Sequence, residues 1–139
     1  MKYKLIPHTS DLGVEIYGKT IEELFSNALY CVTDNFTDIE KVAIKKERKI
    51  EVFGEDLEDL FMNFLRELIF IFATEHFLAK DIKDLKISDN YTVLKGVLLG
   101  ENFDKDRHPI KIELKTPTYH LFSVKKEENR YKATVIFDV

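Results

Sequence analysis

"DLEDLFMNFLRELIFIF", residues 56–72, is the stretch on which the fold turns. Leu57, Leu60, Phe61, Phe64, Leu65, Leu68, Ile69 and Phe72 recur at the i, i+3, i+4, i+7 spacing of a single helical face. Asp56 stands at the N-cap position, where a side-chain oxygen can accept from amides that the first turn leaves unpaired. The spacing predicts a helix near 56–76. The most apolar window, 65–77, is far too short for a bilayer span and carries Arg66, Glu67 and Glu75.

Working outward from this helix, strand patterns dominate. Residues 44–53 alternate Ile50 and Val52 with Lys49 and Glu51, and earlier residues 12–17 alternate Val14 and Ile16 with Glu15 and Tyr17. A short strand at 3–6 precedes them. Between these strands Gly18 turns the chain, and Thr20 with Glu23 makes a capping box for a helix over 21–36, whose stripe is Ile21, Leu24, Phe25, Ala28, Leu29 and Val32. On the C-terminal side, 85–88 and 91–99 read as a hairpin across Asp89-Asn90. A polar loop, "GENFDKDRHP", leads to strands at 110–115, 119–125 and 131–138, with Pro117 suited to an edge or bulge. The class is α+β, with two helices packed on a mainly antiparallel sheet.

The 139 residues suit one domain spanning 1–139, and 45% apolar with 33% charged residues is an ordinary globular composition. A net charge of −4 argues against indiscriminate grip on a phosphate backbone. Cys31 has no partner for a disulfide or a CxxC site, which points to a reducing compartment. The polar start "MKYKLIPHTSDLG" is no secretory signal, so a cytoplasmic protein without a membrane segment is expected.

Chemistry concentrates at two places. In "PHTSDLG", residues 7–13, Asp11 reads either as a turn residue bonding its own backbone or as a cation ligand. The second reading needs more oxygens, and Asp138 with the carboxylate of Val139 can supply them; such a set suits a hard cation such as Ca²⁺ or Mg²⁺. In "FDKDRHPIKIELKTPTYH", Arg107 and Lys115 can meet phosphate or serve as surface ion-pair partners. His8, His108 and His120 match no zinc spacing, which favours scattered structural histidines. His76 caps the long helix electrostatically. The basic run "KVAIKKERK" at 41–49 is expected to protect an edge strand, with RNA contact as the rival reading. No Walker loop, GxGxxG, GxSxG or Cys–His nucleophile is present.

"HTSDLGVEIYGKTIEELFSNA" at 8–28, "DLEDLFMNFLRELIFIF" at 56–72, then "DRH", "KTPTYH" and "ATVIFDV" together resemble the archease family in order and over essentially the whole chain. Ser10 stands for the usual Ala, "TPTYH" for the common "AVTYH", and Tyr131 where Trp often opens the last strand. The resemblance implies strand–helix–strand–strand modules, one inserted in the other. It implies a protein cofactor and not an enzyme: an activator of the RtcB-type tRNA-splicing ligase that promotes guanylylation, multiple turnover and wider nucleotide use, meeting tRNA indirectly through the ligase. It places a divalent cation, Ca²⁺ foremost with Mg²⁺ or Mn²⁺ as alternatives, on Asp11, Asp138 and Val139. Arg107, His108 and Lys115 become candidate contacts to ligase or nucleotide. The rival readings are an RNA-binding chaperone module and a small metal-dependent phosphoesterase using His108 or His120.

Overall fold

A computed structural model describes residues 1–8 and 10–139. Its elements are β1 (Tyr3–Ile6), β2 (Leu12–Gly18), α1 (Ile21–Phe36), β3 (Lys46–Phe53), α2 (Leu57–Glu75), β4 (Phe77–Ile87), β5 (Val93–Asn102), β6 (Thr116–Lys126) and β7 (Tyr131–Asp138). Two antiparallel sheets result, one ordered β1-β2-β7-β6 and the other β3-β5-β4. Each module builds its own sheet. The segment β3–α2–β4–β5 lies between α1 and β6 of the outer module β2–α1–β6–β7, the nesting that the resemblance implies.

Both helices pack against both sheets, α1 against β2 and β4, α2 against β6 and β3. Thr20 accepts from the Glu23 amide (3.1 Å) and Asp56 from the Asp59 amide (2.9 Å), so both helices start at their predicted caps. His76 closes α2 in the left-handed region, its amide donating to the Phe72 carbonyl. Phe25 of α1 meets Phe61 and Phe64 of α2 edge to face, with ring centroids 5.1 and 5.2 Å apart, at the centre of the core. The helix and strand meet too closely at Gly18 for any side chain: a Cβ there would strike the backbone of Leu24 in the first turn of α1. Among the described residues no helix is long and apolar enough to cross a membrane.

Two expectations are corrected. Residues 110–115 form no strand. They run as an extended strap, and the Lys111 and Ile112 amides donate to the Phe36 and Asn35 carbonyls that the end of α1 leaves unpaired. The strand expected at 85–88 starts instead at Phe77. Register shifts at Ala79/Asp81 and Lys83/Lys86, with Asp84 at φ 54°, interrupt the alternation that would have marked it.

Candidate metal centre

β2 and β7 sit side by side in the middle of their sheet because Val14, Ile16, Ala133, Val135 and Phe137 are all buried on one face. Their register runs from Gly18↔Tyr131 to Leu12↔Phe137. Continued by one residue, it sets Asp11 opposite Asp138. On the other side of β7, Thr116 pairs with Asp138 and the Lys115 amide donates to the Asp138 carbonyl at 2.9 Å. Lys115 therefore lies opposite Val139. Three of the sequence-predicted positions, Asp11, Asp138 and Val139, thus gather where β2 begins and β7 ends, with Lys115 beside them. Asp138 and Lys115 are exposed and Asp11 is partly exposed, so the acidic groups face solvent.

Two histidines join this end of the sheet. His8 and His120 rings meet edge to face, with centroids 5.5 Å apart, and His8 Nδ1 lies 3.7 Å from Asp11 Oδ2. Ser10 holds φ 72° between His8 and Asp11, and Leu121 holds φ 57° beside His120. β6 loses register with β7 between Thr118 and Ser123, and such an irregularity re-aims the side chains within it. The histidine pairing escaped the sequence reading because the partners are more than a hundred residues apart. The only local signal was the i, i+3 spacing of His8 and Asp11.

Two carboxylate side chains, Asp11 and Asp138, come to one end of the sheet, and carboxylates are the ligand type a hard divalent cation takes. Among the described residues no three His, Cys, Asp or Glu side chains form a metal cluster, so Asp11 and Asp138 by themselves make no complete site.

Arg107 and His108 sit elsewhere, around a carboxylate that the sequence reading left in a loop. Glu101 is buried at the end of β5. It takes both arms of Arg107 (2.5 and 2.9 Å), the Ala43 amide (2.6 Å) and His108 Nε2 (3.1 Å), with Lys45 at 3.6 Å. The Arg107 hydrogen bonds chiefly, with those from Ala43 and His108, hold the Glu101 carboxyl down at about 2 against the cost of burial. His108 Nδ1 accepts from the Asp104 amide (2.9 Å), so Nε2 carries the proton and donates to Glu101. The expected partner contact through His108 is corrected on this ground: its ring is 1% exposed and both nitrogens are engaged inside the protein. Arg107 keeps solvent access at its edge while serving the same clasp. Cys31 is buried and its thiol is pushed well above its ordinary value, which leaves it inert.

Comparison with known proteins agrees with this architecture. A family model described as the Archease protein family matches residues 3–139. The chain is 37% identical over 139 residues to the protein archease of Archaeoglobus fulgidus, covering all of both chains. It is 35% identical over 134 residues to that of Pyrococcus furiosus, covering 95% of this chain and 94% of the relative. The solution structure of Methanobacterium thermoautotrophicum protein 1598 superposes with a TM-score of 0.83 at 31% identity, over 99% of each chain. A crystal structure of a Thermotoga maritima protein, called an archease and possible chaperone, shares the fold with a TM-score of 0.69 at 23% identity, over 98% of this chain and 96% of that one.

Proposed function

This chain belongs to the archease family, and from that premise we propose that it is a cytoplasmic protein cofactor of an RtcB-type tRNA-splicing RNA ligase, itself no enzyme, that promotes ligase guanylylation and multiple turnover and widens nucleotide use. One observation supports the reading: the β2–β7 register ends at Leu12↔Phe137, so the next residues, Asp11 and Asp138, come to the same sheet end, where the Lys115 amide bonds the Asp138 carbonyl. Asp11, Asp138 and the Val139 carboxylate would hold a divalent cation, Ca²⁺ foremost, at an exposed tip able to enter another protein's active site. A cation so held supplies charge neutralisation and alignment for phosphate oxygens.

The chain's own residues do the rest. Asp138 ends one central strand and Asp11 directly precedes its neighbour, so the pairing of β2 with β7 brings the two residues to the same end of the sheet. Lys115 follows Asp138 along the neighbouring backbone, and its exposed ammonium is matched to a phosphate or to an acidic residue of the ligase. Arg107 presents its exposed edge elsewhere, from the turn that precedes the strap. Contact with tRNA passes through the ligase, in keeping with the net charge of −4.

The deciding experiment is multiple-turnover ligation by a purified RtcB-type ligase, with and without this protein and its Asp11→Asn variant. The wild type should restore turnover after the first cycle and Asp11→Asn should not. Wild-type protein that leaves turnover at the level of ligase alone would overturn the reading.

A further inference from the structure

β3 is an outermost strand of its sheet, with β5 on one side and no strand on the other. The Gly54 amide donates to the Thr92 carbonyl at the end of the β3–β5 ladder, so the even-numbered residues of β3 turn their main-chain groups inward. Glu47, Lys49, Glu51 and Phe53 therefore present their amides and carbonyls to the free edge. Two side chains already reach it: Asn63 Nδ2 donates to the Phe53 carbonyl (2.8 Å) and Arg48 to the Lys49 carbonyl (2.6 Å). Each of those oxygens keeps a second lone pair. Such an edge is a template for a further strand, which adds through main-chain bonds.

The side chains of the same four residues stand on the solvent face, since Ile50 and Val52 between them are buried. Glu47 is tied to Lys83 (2.7 Å) and Glu51 to Lys95 (3.3 Å), while Lys49 is exposed and forms no ion pair among the described residues. This row is complementary to itself. Laid antiparallel to a second copy with Ile50 on the two-fold axis, each Lys49 falls opposite Glu51 of the other chain, and Glu47 falls opposite Phe53. Moving the axis to Lys49 sets that lysine against itself and Glu47 against Glu51. Moving it to Glu51 sets two glutamates together. Like charges directly opposed are unfavourable. An axis at Arg48 restores opposite charges but leaves Glu51 and Phe53 without partners in the other β3.

The neighbouring helix supports the same axis. Asn63 meets Phe53 and Glu75 meets Arg48, so α2 runs alongside β3 in the opposite direction. Strand steps of about 3.3 Å and helical steps of about 1.5 Å make the two intervals nearly equal in length. Phe70 then comes level with Ile50. Phe53 and Phe70 are 60% and 58% exposed, on the walls of a groove shared with Val52, Asn63, Arg66 and Glu67. About an axis through Ile50, Phe70 faces Phe70 of the second copy, and Arg66 comes level with that copy's Glu75.

We propose that this protein pairs with a second copy of itself through β3, antiparallel about Ile50, joining the two three-stranded sheets into one of six strands. The contact is isologous, so each favourable pair occurs twice. The two Phe70 rings supply its apolar centre, and the Lys49–Glu51 pairs fix the register. The inference is independent of the acidic tip, which belongs to the other sheet.

The test is sedimentation equilibrium of the purified full-length protein from micromolar to submillimolar concentration, with circular dichroism to confirm that each variant is folded. The wild-type mass should rise with concentration from 16.3 kDa toward twice that value. Lys49→Glu and Glu51→Lys each oppose like charges at two symmetric places, and each should weaken association about tenfold or more. The double variant Lys49→Glu/Glu51→Lys restores the opposite charges and should recover wild-type association. Phe70→Asp should weaken it as the single reversals do. Amide hydrogen exchange needs no variant: the Glu51 amide should exchange more slowly as concentration rises. A wild type that stays monomeric throughout would overturn the pairing and leave the edge to a strand of another protein. So would a dimer that neither single reversal weakens, a double variant no stronger than the singles, or a Glu51 amide indifferent to concentration.

Discussion

Replacing Glu101 by Gln keeps the shape of the side chain and removes only what its surroundings require. Every group around the carboxylate is a donor: the Arg107 guanidinium, the Ala43 amide, the His108 Nε2 proton and the Lys45 ammonium. An amide has one accepting oxygen, so its NH₂ must face donors at one position whichever way it is turned. The carboxyl ordinarily titrates near 4.5 and is held at about 2 here, which corresponds to about 3 kcal/mol at most. Arg107 and Lys45 are partly in water, which screens them and brings the expectation to about 2 kcal/mol at neutral pH. For a chain of this size that is a fall in melting temperature of roughly 8 °C. The sign of the pH dependence follows from a depressed native value. The stabilisation is complete above the ordinary carboxyl range and is lost as pH falls from about 4.5 through about 2. Urea unfolding of both proteins at pH 7, 5, 4 and 3 measures the difference directly, since all other carboxylates cancel. The gap should be steady from pH 7 to 5 and close below 4.5. A gap that is negligible at pH 7, or that stays constant down to pH 3, would refute the reasoning about this clasp.

Gly100→Ala drives a Cβ into the Leu78 carbonyl on the neighbouring β4 and should leave the protein largely insoluble or unfolded on expression; normal soluble yield and melting would contradict it. Phe64→Ala removes a fully buried ring at the helix contact and should cost about 3–5 kcal/mol by denaturant titration, a small loss showing that the helices close over the gap. Lys115→Ala removes only an exposed ammonium, so melting should hold while stimulation of ligase turnover falls; full stimulation would move Lys115 out of the proposed contact.

What the sequence made legible was local. The stripe from Leu57 to Phe72 and the caps at Thr20 and Asp56 involve residues within a turn or two of one another, and both helices form where the spacing puts them. β4 escaped because its bulges break the period by which a strand is recognised. The strap at 110–115 read as a strand because Ile110, Ile112 and Leu114 alternate with charged residues, yet its amides serve the end of α1 instead of another strand. The acidic tip was legible only as one of two readings of Asp11, because nothing local says that Asp11 and Asp138 share a sheet end. Glu101 gave no sign at all, being one acid among many until burial sets it apart. For the same reason Arg107 read only as a phosphate contact or a surface ion-pair partner. Its two bonds to a buried carboxylate make it part of the fold's own support.

The pairing of β2 with β7 has a consequence for the order of events in the cell. β2 waits while about 120 further residues are translated before the strand that covers its free edge exists. At ordinary ribosomal speed the wait is on the order of ten seconds. During it the first hairpin and α1 present a bare, apolar edge, a hazard that long-range strand pairing imposes on any slowly folding chain. The same order of synthesis makes the tip all-or-none. A nascent chain, or one cut short before β7, carries Asp11 with nothing opposite it, so the acidic end assembles only when the last strand has docked.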